Sequence, residues 1–335
     1  MKKISYIIIT FSLGVILFSA CNKKEKIETS TTQTNFHQEF DSYDMDGKVF
    51  PQKLDKVPER IVVNNLSCTE ILLELGLKDK IVGILQLDNQ PNGKWKNELS
   101  QLKVIGDKMK TNKEVIASYQ PDIFIGSGRG LNEAFQGTID SYNQLGIPVY
   151  SQRASINHNS PTLLTIIEDV KNLGKILNVE DKANAYADQL KKKYDNILEQ
   201  VKSVKNIEKP YTVLAIYSMD INKKRYSAPI VSDGLQYDLI SKLNLKPAIQ
   251  GFSNDNTFEH LVSVNPDIII NINADRSFVP EEEVKKVMYN DPLIKDVSAI
   301  KNKRIITVNY DDFLDYGPRH FSTLEKLYNE IYKKN

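Results

Sequence analysis

The chain has few of the residues from which most enzyme centres are built: among 335 residues there are two cysteines, four histidines and one tryptophan. The histidines, His37, His158, His260 and His320, lie far apart in sequence, which argues against a free zinc or manganese site made of clustered imidazoles. No Gly-x-Ser-x-Gly elbow, His-Glu-x-x-His helix, Walker loop or cysteine pair with metal-ligand spacing occurs. The reading is therefore a protein without catalysis and without a resident cofactor. An excess of charge of either sign is also missing. Lys and Arg number 44 against 43 Asp and Glu; the first twenty residues hold Lys2 and Lys3 and no acid, so the remainder carries 42 against 43. Such a balance gives no reason to expect a nucleic-acid partner.

The long apolar run sits at the start. Lys2-Lys3, a mostly apolar stretch from Ile7 to Phe18 and the small pair Ser19-Ala20 before Cys21 make residues 1–20 a secretory signal, too short for a full spanning helix. It resembles a bacterial lipoprotein signal, in which the cysteine is lipidated and becomes the first mature residue; Phe18 stands where leucine is usual. Residues 21–38, rich in Lys, Glu, Thr and Ser, then read as a flexible tether from a membrane anchor. With Cys21 lipidated, Cys68 has no disulfide partner and reads as a small buried hydrophobe.

From Phe40 to Phe50 the pattern is a hairpin turning at Asp46-Gly47. Beyond it, short apolar runs (Ile61–Val63, Lys80–Leu85, Ile123–Ile125, Pro148–Tyr150) alternate with helical patterns, including one at 133–145. The order returns from Tyr211 onward, which indicates parallel sheets covered on both faces. Between the two series lies Val179–Val204, with neither Gly nor Pro. Its apolar residues Ala183, Ala187, Leu190, Tyr194, Ile197, Val201 and Val204 form one stripe, so it reads as a single helix of roughly 39 Å. A coiled-coil helix is the alternative, but nothing else in the chain repeats the stripe. The fold class is α/β: an N-terminal lobe (39–178), a bridging helix (179–205) and a C-terminal lobe (206–335). Both lobes carry one phrase, Glu114-Val-Ile-Ala-Ser-Tyr-Gln-Pro121-Asp122 and Glu259-His-Leu-Val-Ser-Val-Asn-Pro266-Asp267, each followed by a buried strand. An internal duplication accounts for it.

In this order, Pro58-Glu-Arg-Ile-Val-Val, Ser67-Cys-Thr-Glu-Ile-Leu-Leu-Glu-Leu-Gly76, Asp79-Lys-Ile-Val-Gly83, the two Pro-Asp phrases, Gly146-Ile-Pro-Val, Ala299-Ile-Lys-Asn-Lys-Arg-Ile and Gly317-Pro-Arg cover the chain from Lys53 to its end. Together with the lipoprotein signal and the long helix, they resemble the substrate-binding proteins of bacterial ABC importers for ferric siderophores, haem and cobalamin. The resemblance implies two Rossmann-like lobes with the ligand cleft between them, and a monomeric, lipid-anchored receptor on the outer side of the cell membrane that captures a small-molecule metal chelate, such as a ferric siderophore. It also implies delivery to an ABC permease dimer with its ATPase subunits, onto which Glu114 and Glu259 would dock the two lobes. A haem receptor is the nearest alternative and a cobalamin receptor the next; a structural or adhesive surface lipoprotein is the reading from another class.

Ligands of open α/β sheets sit beyond the C-terminal ends of strands. The loops there offer Asn64, Asn65, Arg129, Arg153, Tyr226, Arg276, Tyr310, Tyr316 and Arg319, of which Asn65, Arg129, Tyr226, Arg276, Tyr310, Tyr316 and Arg319 are the candidate ligand-binding residues. Guanidinium groups pair with carboxylates and aromatic rings cover an apolar face, which suits an anionic chelate or a porphyrin. Gly126-Ser-Gly-Arg-Gly130 lacks the spacing of a dinucleotide fingerprint and reads as a flexible pocket loop. Met109 lies near where some haem-binding relatives place an axial methionine, though a packing contact is the simpler role. Trp95 is expected to face the cleft.

Overall fold

The computed structural model describes residues 36–156, 158, 160–204, 209–275 and 279–333. The expected signal, Cys21, most of the expected tether and Arg276 lie outside them. Strands β1 (Gln38–Tyr43) and β2 (Val49–Leu54) form an antiparallel hairpin. Its turn needs Gly47 at a φ of +81°, and Asp44 Oδ1 closes it by accepting from the N–H groups of Asp46 and Lys48.

The first lobe follows as β3 (Ile61–Val63), α1 (Leu66–Glu74), β4 (Ile81–Leu85), α2 (Lys96–Gln101), β5 (Val104–Gly106), α3 (Lys113–Ser118), β6 (Ile123–Ser127), α4 (Ile139–Asn143) and β7 (Val149–Gln152). Its strands make one parallel sheet in the order β5-β4-β3-β6-β7. The hairpin covers the β7 edge, where Gln52 Oε1 accepts from the Val149 N–H at 2.9 Å and the Ser42 and Ser151 hydroxyls meet at 2.9 Å, so that edge is not left open to another chain. Two helices come next, α5 (Leu163–Ile176) and α6 (Glu180–Lys202).

The second lobe comprises β8 (Tyr211–Ile216), β9 (Ser218–Asp220), β10 (Arg225–Ala228), α7 (Gly234–Lys242), β11 (Leu245–Pro247), β12 (Ser253–Thr257), α8 (Phe258–Val264), β13 (Ile268–Asn273), α9 (Glu281–Asn290), α10 (Ser298–Lys301), β14 (Ile305–Asn309), α11 (Tyr310–Phe313) and α12 (Arg319–Tyr328). The parallel sheet here runs β11-β8-β13-β14, and a small antiparallel sheet, β12-β10-β9, stands beside it. That second sheet has no counterpart in the sequence reading. Its strands are short and largely polar, as in Ser253-Asn-Asp-Asn-Thr, and bury only isolated apolar side chains, Met219, Tyr226 and Ala228, in the second lobe. The helix expected over 133–145 is shorter, because Gly137 turns at φ +89° and Thr138 caps a new start.

Strand alternation divides the core. In β3 and β6, Ile61, Val63, Ile123 and Ile125 face one apolar mass while Val62 and Phe124 face another; in β13, Ile268, Ile270 and Ile272 are set against Ile269. The inner mass is continuous from the first sheet through α5 and α6 to the second sheet and α12. The stripe on α6 is what joins it, with Ala183, Ala187, Leu190, Tyr194 and Ile197 buried and Val201 and Val204 packed at its margin. The long helix is thus embedded in both lobes rather than spanning open space between them. The described residues from Phe36 onward form one compact unit.

The duplicated phrase has a structural purpose in each lobe. Asp122 Oδ2 accepts from the N–H groups of Glu59 and Arg60 at 2.9 and 3.0 Å, Lys56 Nζ reaches Oδ1, and its own N–H donates to the Arg60 carbonyl. Asp267 Oδ2 accepts from the Thr212 N–H and hydroxyl at 2.8 and 2.9 Å, and its N–H donates to the Thr212 carbonyl. Each aspartate pins the entry of its strand to the neighbouring strand. Burial opposes ionisation at both, but the donors outweigh it and hold each carboxyl below the ordinary range. Asp122→Ala and Asp267→Ala are each expected to cost about 1.5–3 kcal/mol in denaturant unfolding at neutral pH. Because the folded carboxyl titrates below the unfolded one, this contribution is present above the unfolded pKa and fades as pH falls through the depressed value. A deficit that stayed constant down to pH 3 would rule out the charged hydrogen bonds as its source.

Candidate functional site

A cavity of about 420 Å³ opens where the C-terminal ends of the first lobe's strands meet the segment after β14, within the ~300–1,000 Å³ usual for small-molecule sites. Beyond β3 lie Asn64 and Asn65, both buried. Asn64 is held from both ends of its amide: Oδ1 accepts from the Ser127 N–H at 2.7 Å, and Nδ2 donates to the Ser127 carbonyl and Gln136 Oε1. Asn65 caps α1, and its Nδ2 donates to Ser67 Oγ and Gln152 Oε1. The segment after β6 adds Arg129, Phe135 and Gln136, and the loops beyond β4 and β5 add Asp88, Lys108 and Met109. The second lobe closes the cavity with Tyr310, Leu314, Asp315 and Tyr316.

The glycine-rich stretch 126–130 is packed rather than loose. A Cβ on Gly126 would lie 1.8 Å from Asn64 Oδ1, and one on Gly130 would lie 2.4 Å from Gln136 Oε1. Small residues are needed because buried amides pass directly over the backbone, which the sequence pattern alone does not reveal.

Of the candidate ligand residues, Asn65, Arg129, Tyr310 and Tyr316 line this cavity, as does Met109, which is 53% exposed at its mouth. Tyr226 does not. Alternation along β10 turns it into the second lobe, where it is buried with its hydroxyl 3.0 Å from His260 Nδ1. Arg153 lies at another surface, 3.7 Å from Glu168 and over the Tyr43 ring. Arg319 sits behind the cavity. All five of its N–H donors are taken: Nε and Nη2 grip Glu70 at 2.9 and 2.7 Å, Nη1 reaches Asp312 and Asn92 Oδ1, and Nη2 also reaches the Asn92 carbonyl. Burial works against that guanidinium, yet the paired Glu70 and Asp312 keep it firmly protonated. Arg276 and Cys21 lie outside the described residues. Cys68 is fully buried, and burial, followed by the charges of Asp169 and Asp315, pushes its thiol up, so it is not a nucleophile.

A second, wider hollow of about 770 Å³ lies on the far side of these inter-lobe contacts, against α6, and Trp95 and Arg319 line it. Trp95 therefore faces this rear hollow and not the cavity. Glu114 and Glu259 occupy the same position of matching helices, the second residue after the caps Asn112 and Thr257, and both are exposed. Sequence reasoning missed Asp88, Lys108, Phe135, Gln136 and Asp315, which lie in loops whose path no periodicity reports. The nearest signals were the neighbouring candidates Tyr316 and Met109 and the Gly317-Pro-Arg phrase.

Two parallel α/β lobes fused through one long helix and closing on a polar, aromatic-walled cavity define a solute-binding protein. The chain belongs to the periplasmic binding protein family, whose pattern it matches over residues 61–311. It is 25% identical over 298 residues to the uncharacterized ABC transporter substrate-binding lipoprotein YvrC of Bacillus subtilis, covering 85% of this chain and 87% of the relative. It is 23% identical over 316 residues to the petrobactin-binding protein YclQ of the same organism, covering 91% and 90%. The fold superposes on the crystal structure of a periplasmic binding protein from Veillonella parvula with a TM-score of 0.74 at 20% identity, covering 89% of this chain and 99% of the other. These relatives are substrate-binding proteins rather than enzymes. No helix among the described residues is long and apolar enough to cross a membrane.

Proposed function

We propose that the protein is the substrate-binding lipoprotein of an ABC importer, anchored at the outer side of the cell membrane through Cys21, and that it captures a ferric siderophore or related metal chelate. The observation that carries this reading is the cavity between the lobes, whose walls combine Arg129, Phe135, Tyr310 and Tyr316. The lobes, with limits near 39–178 and 206–335, are joined at 179–205 by a helix stiff enough to permit only modest closure. Glu114 and Glu259 orient the lobes on the permease, as their matching positions in the duplicated unit suggest. The kinship with YvrC and YclQ supports the same assignment.

The test is a calorimetric titration with a ferric hydroxamate, a ferric catecholate, haem and cobalamin. Trp95 fluorescence is a poor reporter because the ring faces the rear hollow. Saturable sub-micromolar binding of one chelate is expected, together with about 2.7 kcal/mol of added stability at a hundredfold excess over Kd. Silence across the panel would favour a structural or adhesive lipoprotein. A second reading, haem, rests on Met109, whose thioether is exposed at the cavity mouth. A Soret band that Met109→Ala alters would establish it.

A further inference from the structure

Four charged side chains face the cavity, Asp88, Lys108, Arg129 and Asp315, two of each sign, so its described wall carries no net charge. They are not equally available to a ligand. Lys108 Nζ is bound to the Asp88 carboxylate, and both side chains are mostly buried, so that positive charge is already matched. Arg129 is exposed, and its guanidinium makes no ion pair among the described residues. It is the cation the cavity offers.

The other feature that would draw an anion is the N-terminus of α1, which begins at the cavity wall with Asn65 as its cap. That place is already filled. Asp315, reaching across from the second lobe, accepts from the Ser67 N–H at 2.9 Å and from Asn65 Nδ2 at 3.4 Å. An incoming anion meets a fixed carboxylate there instead of free N–H donors. The negative field on this side is felt by the neighbouring Asp311, whose carboxyl is pushed up to about 6 by burial and next by the charge of Asp315.

We propose that the cavity selects uncharged chelates over polyanionic ones, and that Asp315 is the specificity-determining residue. The inference rests on the receptor reading above and narrows its ligand class. In a ferric trihydroxamate the three ligand charges cancel those of the iron. In a ferric tris-catecholate, three doubly ionised groups leave a threefold negative charge. Inside a partly dry cavity that excess has Arg129 to offset it and Asp315 to oppose it. An anionic arm that displaced Asp315 from α1 would gain the two donors, but it would leave the displaced carboxylate beside it without them.

The experiment titrates the protein calorimetrically with ferrichrome, an uncharged ferric trihydroxamate, and with ferric enterobactin, a ferric tris-catecholate. Ferrichrome is expected to bind at least about thirtyfold more tightly. Asp315→Asn, whose amide oxygen can still accept from Ser67, is expected to tighten the tris-catecholate about tenfold and to change ferrichrome by less than about threefold. Arg129→Gln should weaken the tris-catecholate further, and it keeps the test independent of how well the Asp315 variant folds. Equal or tighter binding of the tris-catecholate by the wild type overturns the charge selection and leaves the receptor reading standing, as does an affinity ratio that neither variant moves. Binding of neither chelate overturns the receptor reading for ferric siderophores, and the charge selection falls with it.

Discussion

Replacing Arg319 by alanine is expected to cost about 3–5 kcal/mol of stability, the usual penalty for stranding one member of a buried ion pair. The Arg319 and Glu70 side chains are 15% and 9% exposed, and the fork between them joins α12 of one lobe to α1 of the other. Without the guanidinium, the Glu70 carboxylate keeps its burial and loses both charge-assisted bonds. The double variant Glu70→Met/Arg319→Met should recover most of the loss, since replacing both charges by apolar groups of similar volume removes the desolvation cost together with the attraction. Urea denaturation of the single and double variants measures both. A loss below about 1 kcal/mol for Arg319→Ala would place the pair among weak, solvent-screened bridges and would free Arg319 for a ligand.

The paired variant Glu114→Ala/Glu259→Ala is expected to lower uptake of the ligand into cells by at least about tenfold while leaving affinity for the free ligand within about twofold. Neither residue lines the cavity. Each is exposed in the first turn of its helix, capped by Asn112 or Thr257. At Glu259 its own backbone N–H and then the Thr257 hydroxyl hold the carboxyl below the ordinary range, so it stays charged at any pH at which the protein would meet a permease. Because exposed ion pairs are individually weak, the single variants should each show a smaller defect. Normal uptake by the double variant would remove the docking role and leave only helix-start charges.

How much of this was legible beforehand depended on whether a feature is local. The stripe on α6, the turn at Asp46-Gly47 and the buried strands are repeating or nearest-neighbour patterns, and each is found within a residue or two of its expected place. The antiparallel sheet β12-β10-β9 was not legible, because strands of three to five residues with at most two apolar positions each are too short to show a period. Tyr226 shows the same limit at a single residue. Its type suits a binding cleft, yet the direction of its side chain follows from β10 pairing with β9 and β12.

The sequence by itself determined the α/β class, the duplicated unit with its glutamate and aspartate, the single long helix and the absence of catalytic constellations. All of these are written in spacing and composition, which folding preserves. Only the tertiary structure decided which polar residues meet. It brought Asp315 onto the Ser67 N–H 248 positions away, bound Arg319 to Glu70 across 249, and turned Trp95 toward the rear hollow. The reason is physical: a charged side chain is spoken for or available according to its partners, and those partners are set by how two lobes close rather than by any neighbour in the chain.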